Sequence, residues 1–245
     1  ASLQEIQQAK TASKQAMDSA DLFEKEKLEQ LLTALETLEK LGTKVCCVVD
    51  NPPSMGNRKF NKELKDFVYA NYPDSKSDLM ATFMEAGFKC LRDKGLLGMI
   101  NQNSWMFLSS YEKLREKLIS DYFIENLLHL GTRTFPEIGG EVVQNASFVL
   151  VNSDAIECNG VFLRLISFGN SDLKRRKTLE SIKQKDCEWY YKANQNDFLK
   201  IPGSPIGYWL EEKFIENFTK KNVGDYTKSD GQTKSGNNSK YLRKF

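Results

Sequence analysis

The chain has 245 residues, 40% of them hydrophobic and 28% charged, with 35 basic against 33 acidic side chains for a net charge of +2. That allows one large domain, or one and a half small ones, with a real core, and the charge is too small to mark a nucleic-acid binder. No apolar run approaches the ~18 residues of a membrane span, and the polar amino-terminal stretch is unlike a signal peptide. The five cysteines form no CxxC pair and are expected as reduced, buried thiols in a cytoplasmic protein.

Residues 3–41 read as polar helix, with Leu28, Leu31, Leu32, Leu35 and Leu38 at the three-four spacing of a single apolar face. Lys44–Val49 follows as a short run of valine and cysteine, the composition of a strand covered on both faces. It runs straight into Asn51-Pro52-Pro53-Ser54. Each proline fixes its own φ, gives up its N–H and pushes the preceding residue toward extended geometry. The product is a stiff loop at a strand's carboxyl end, where open α/β sheets bind ligands, holding an amide and free carbonyls in set positions.

A polar and basic excursion, GNRKFNKELKDFVYANYPDSKSD, comes next, and its Arg58, Lys59, Lys62 and Lys65 read as solvated side chains, with phosphate contacts as the alternative. Asp78–Lys94 is expected as a strong helix, capped by Asp78 or Ser77, with Gly95 just beyond it. LLGMINQ is a strand, YEKLREKLISD a helix, and FIENLLHL, ASFVLVN and GVFLRLIS are three further strands. Trp105 and the lone histidine, His129, read as packed residues, since no partner with triad-like spacing accompanies the histidine.

Strands alternating with helices imply a mostly parallel sheet covered on both faces, and the helix-free later strands imply hairpin pairing at an antiparallel edge. From about Asn170 the pattern decays into a linker with one charged helix, then the turn-rich IPGSPIGYWL, a short helix over 211–220 and a glycine- and asparagine-rich tail. Only Gly42 precedes Asn51, so the glycine-rich turn of a nucleotide-binding fold is missing from this stretch. The expectation is the later part of a larger protein, without its opening strands.

The blocks NPPSMG, YPDSKSDL, GLLGMINQNSWMFLSSYEKLREKL, LLHLGTRTFPEIGGEVVQNASFVL and IPGSPIGYW, in this order from about Leu41 onward, resemble the adenine-N6 DNA methyltransferases of BREX-type phage-exclusion systems. Those are large relatives of the combined restriction–modification enzymes. The resemblance implies an α/β, Rossmann-like methyltransferase using S-adenosyl-L-methionine, present as the carboxyl-terminal half of its sheet. It implies a helical segment over 1–40, a partial catalytic core over 41–170, and a linker with the start of a target-recognition region over 171–245. The implied partners are double-stranded DNA with a flipped adenine, the rest of the parent protein, and phage-defence subunits.

By the same resemblance Asn51 and Pro52 accept the two N–H bonds of the adenine amino group, and Pro53 and Ser54 complete the catalytic loop. Asp78 and Leu79 match the family's cofactor-side motif, although Leu79 reads equally as a core leucine at a helix start. Phe135 matches the aromatic set against the flipped base. Ser54 departs from the pattern, because the family carries Tyr, Phe or Trp there to stack on the extruded base. That departure keeps open a second reading, a catalytically impaired DNA-binding or assembly piece. A third, a protein-glutamine methyltransferase, fits the long polar continuation after the last strand less well.

Overall fold

The computed structural model describes residues 2–135, 143–153, 158–221 and 223–226. Two amino-terminal helices, α1 (Leu3–Met17) and α2 (Leu22–Gly42), replace the single helical stretch of the sequence reading. Ser2 with Glu5 opens α1 and Asp21 with Glu24 opens α2, each as a reciprocal capping box, and the second restarts the helix after the break at 18–20. The pair packs side by side, tied by Lys10 Nζ to Glu39 at 2.5 Å. No α2 residue is fully buried, and Leu22, Phe23 and Leu41 are exposed.

Six strands form one mixed sheet: β1 (Val45–Asp50), β2 (Leu91–Gln102), β3 (Phe123–Gly131), β4 (Asn145–Val151), β5 (Asn159–Arg164) and β6 (Tyr190–Asn194). Their order is β1-β2-β4-β3-β5-β6. β1 and β2 pair in parallel, as do β3 and β5, while β4 runs antiparallel between β2 and β3. β6 closes the far side antiparallel to β5. The carboxyl ends of β1, β2, β3 and β5 therefore share one edge of the sheet.

Four of the six strands run in one direction, as the sequence reading expects, but three of the five pairings are antiparallel. The helix expected to reach Lys94 ends at Cys90, where β2 takes over, and other details differ as well. The expected hairpin of the last two strands does not form, because β4 inserts at the centre and β5 pairs with β3 and β6 instead. β1 is not covered on both faces: it is an edge strand, and Val49 on its open side is 84% exposed. The polar excursion contains α3 (Lys62–Asn71), capped by the Asn61 side chain. The cysteines are free, but Cys46, Cys47, Cys90 and Cys158 are exposed and Cys187 half-buried, since the strand, helix end and loops that carry them all lie at the surface.

α4 (Leu79–Cys90) lies on β1 and β2, and α5 (Glu112–Asp121) packs on β3. Met80, Met84 and Phe88 from α4 and Leu114, Leu118 from α5 meet Leu97, Met99, Leu127 and Phe148 of the sheet in one core. α6 (Ser171–Lys183) lies by β3 and β5, where Lys174 reaches across to Leu130 O at 2.6 Å. The sheet and its core continue past residue 170, through β6 and on to Phe198, Ile206 and Tyr208. Residues 171–208, expected as part of a linker leading into a recognition region over 171–245, thus belong to the sheet and its core, and the tail from 227 onward lies outside the described residues.

Two buried polar systems hold this arrangement. Arg115, 1% exposed, donates to Trp105 O, Leu108 O, Gly203 O and Ser204 O, sewing the segment after β2 to the one after β6. Trp105 is fully buried, edge-on to Phe148, with its indole N–H on Asn101 Oδ1 at 3.1 Å, so its structural reading holds. No helix among the described residues is long and apolar enough to cross a membrane.

Candidate active site

β1 ends at Asp50, so Asn51 begins the loop at the strand's carboxyl end, where the proline pair predicts it. Asn51, Pro53 and Ser54 are exposed and Pro52 is buried. The Asn51 side chain bonds to no described residue, and Pro52 O accepts no backbone N–H among them. Asn51 Oδ1 and Pro52 O, on consecutive residues of a stiff loop, therefore accept no hydrogen bond among the described residues.

What keeps the loop in place is Asp78. Its Oδ1 accepts from Met80 N at 3.0 Å, capping α4, and from Met55 N at 3.1 Å, gripping the end of the loop. The backbone adds Asn57 N to Ser77 O and Leu79 N to Met55 O, both 3.0 Å, around an antiparallel bridge of Gly56 with Asp78. The loop is pinned to the amino end of a helix that is itself packed on β1 and β2. Leu79 is half-buried at that same end.

The sequence-derived residues fall into two groups on one edge. Asn51 to Ser54 lead directly into Met55 and Gly56, which Asp78 and Leu79 hold. Phe135 sits on the loop after β3, half-buried, three strand spacings from β1, roughly 14 Å along the edge. Gly131, at φ +68°, makes the turn out of β3, and a Cβ there would crowd Ile166. Lys174, 3% exposed, caps the carbonyls of Leu130 and Thr132 and so holds the start of the Phe135 loop; burial lowers its pKa.

Between these groups lies a buried network that sequence reasoning reached only in part. His129, 6% exposed, meets Asn103 Nδ2 through Nε2 at 2.8 Å and Tyr208 Oη through Nδ1 at 3.0 Å. An amide nitrogen only donates, so Nε2 accepts and the imidazole proton rests on Nδ1, donated to Tyr208. Burial, helped by the nearby Arg164 charge, pushes the His129 pKa down to about 4. Neutral and fully engaged, it is a packed strand residue as expected. Its partner Tyr208 is 79 positions away and had no signal in the spacing.

Tyr111 was also missed. It is 5% exposed near the same helix end, and burial, with the Asp78 charge second, raises its pKa to about 12. Arg58, Lys59, Lys62 and Lys65 line the exposed side of the segment after the loop, with Lys65 and Lys76 both over the half-exposed Tyr69 ring at 5.5 and 5.3 Å.

A mixed α/β sheet bears an Asn-Pro-Pro loop at the carboxyl end of its edge strand, the arrangement of a methylase core. The chain belongs to the Eco57I restriction-modification methylase family, whose model matches residues 2–135 and so takes in the two amino-terminal helices as well. It is 38% identical over 221 residues to the adenine-specific methyltransferase PglX of Lacticaseibacillus casei (strain Zhang), covering 88% of this chain and 18% of that protein. It is 40% identical over 200 residues to the adenine-specific methyltransferase BrxX of Escherichia coli O9:H4 (strain HS), covering 82% of this chain and 16% of that one. The chain thus spans less than a fifth of the curated relatives it matches. A structure from a study of complex assembly and conformational transition in a type I restriction–modification system shares the fold, with TM-score 0.50 at 15% identity over 74% of this chain and 43% of that one.

Proposed function

We propose that this chain carries the catalytic loop of a site-specific DNA adenine-N6 methyltransferase acting in restriction–modification or phage defence. The observation that carries the reading is the pair of unengaged acceptors at Asn51 and Pro52, on a loop pinned by Asp78. A base inside a duplex must be turned out before its amino group is reachable, at a cost of a few kcal/mol. The amino nitrogen is a poor nucleophile because its lone pair is drawn into the ring. Asn51 Oδ1 and Pro52 O, accepting its two N–H bonds, favour tetrahedral geometry and direct the lone pair outward. Acceptors fixed before the reaction stabilise the developing positive charge without reorganising.

S-adenosyl-L-methionine, when bound, supplies the electrophilic methyl group. The residues present fit one side of it: Leu79 offers a half-buried apolar surface at the helix start. Asp78 has its Oδ1 committed to two backbone N–H groups, so its part is to position both the loop and Leu79. The basic surface of Arg58, Lys59, Lys62 and Lys65 beside the loop suits duplex phosphates, and Phe135 suits the face of the flipped base. The setting is the cytoplasm, with the longer protein and other defence subunits as partners, and target recognition beginning after the core-forming segment that ends near Tyr208.

Ser54 favours a second reading, an impaired enzyme kept for binding or assembly. It is exposed and offers no ring to the base. Methyl transfer by a full-length protein carrying this segment separates the two: transfer to adenine N6 supports the first, and DNA binding without transfer supports the second.

A further inference from the structure

At the carboxyl end of β5, away from the Asn51 loop, an open cavity of about 470 Å³ is lined by Arg164, Phe168, Lys177, Glu188, Trp189 and Tyr191, among others. Its walls are rings. Phe168 and Trp189 stand edge to face at 5.4 Å, and Lys177 Nζ lies 4.4 Å from the Trp189 centroid and 5.9 Å from that of Phe168. The Trp189 indole donates to Lys177 O at 3.3 Å, so α6 fixes the ring in advance. Arg164 stacks its guanidinium 5.0 Å from Trp209, and its Nε is buried without a hydrogen-bond partner among the described residues. Among the lining residues two cations stand against one carboxylate, Glu188. Lys177 Nζ also pairs with Glu180 at 2.8 Å on α6, so Arg164 is the cation without a carboxylate partner among the described residues.

Half-exposed aromatic faces interleaved with cations match one chemistry, a nucleobase on the ring and its phosphate on the charges. We propose that this cavity binds a nucleotide unit, base against Trp189 and Phe168 and phosphate toward Arg164 and Lys177. It lies four strand spacings from β1 on the same edge, roughly 19 Å away. That is about six nucleotide steps at 3.4 Å each, too far for the base presented to Asn51 and near enough for another nucleotide of the same DNA. The source of the ligand, not its chemistry, rests on the DNA-methylation reading, and a free nucleotide is the other source.

The test is equilibrium binding of a fluorescent 12-mer single-stranded oligodeoxynucleotide to the full chain, without cofactor or methyl transfer, so it stands apart from the methylation assay. Trp189→Ala is expected to weaken binding roughly five- to 150-fold, and Trp189→Phe to keep most of it. Lys177→Gln should lower the slope of log affinity against log salt by about 0.7. Adenosine monophosphate competing at concentrations comparable to the oligonucleotide's assigns a free nucleotide as the ligand; binding of the oligonucleotide alone assigns the DNA strand. Absence of binding by either probe, or unchanged affinity in Trp189→Ala, overturns the proposal. Should Trp189→Ala fail to fold, an unchanged salt slope in Lys177→Gln overturns it.

Discussion

Asn51 presents an unengaged acceptor, and its removal is the sharpest probe of the loop. Losing one fixed acceptor at a reacting centre costs about 10²–10³ in rate, so Asn51→Ala should reduce methyl transfer by at least that factor, read as label incorporated into DNA. Ser54→Tyr should act the other way. Base–aromatic stacking of ~1–3 kcal/mol would tighten the flipped-base complex, with the larger gain on duplex than on already unstacked adenines. Asp78→Ala removes the cap of α4 and the anchor of the loop together. It should cost about 1 kcal/mol in a denaturant titration and lower transfer, whereas Asp78→Asn, keeping Oδ1 as an acceptor, should restore most of both. Asn51, Pro52 and the Asp78 cap were legible in sequence because their spacing and turn chemistry are local. Tyr111, near Asp78, was not, since its approach depends on how the segment after β2 folds back.

At the scale of elements, Arg115 decides how the segment after β2 meets the one after β6. Its guanidinium donates to the carbonyls of Trp105, Leu108, Gly203 and Ser204, of which Leu108 O also accepts from Tyr111 N at 3.1 Å. Arg115→Met keeps the stem and strands these acceptors, and should lower unfolding free energy by about 3–5 kcal/mol in urea, with the fold retained at low denaturant. Helix–strand alternation through β3 was readable from periodicity. The place of β4 was not, because its alternating pattern suits an inner or an outer antiparallel position equally. β6 hid in a charged stretch for a related reason: as an edge strand, Tyr190–Asn194 is only half-buried and needs little apolar sequence.

For the whole molecule, burial of neutral His129 links stability to pH. Its pKa in the fold is about 4, against an ordinary value of 6.5, so between these values the unfolded chain binds the proton more tightly. The fold should keep this stability in full above about pH 6.5 and lose it as pH falls toward 4, by about 3 kcal/mol in all. Denaturant midpoints against pH check this, and His129→Gln should flatten the slope in that window. The residues facing His129, Asn103 and Tyr208, come from the ends of different segments, which is why packing of the histidine was legible and its partners were not.

Asn51 and Pro52 are proposed to hold an adenine amino group for methylation. The direct measurement is transfer of labelled methyl from S-adenosyl-L-methionine to duplex DNA by a full-length protein carrying this segment, with the product nucleosides separated. Label is expected in N6-methyladenine from the native sequence, with a loss of about a hundredfold or more in Asn51→Ala. Undiminished transfer by Asn51→Ala, or label on a base other than adenine, would contradict it.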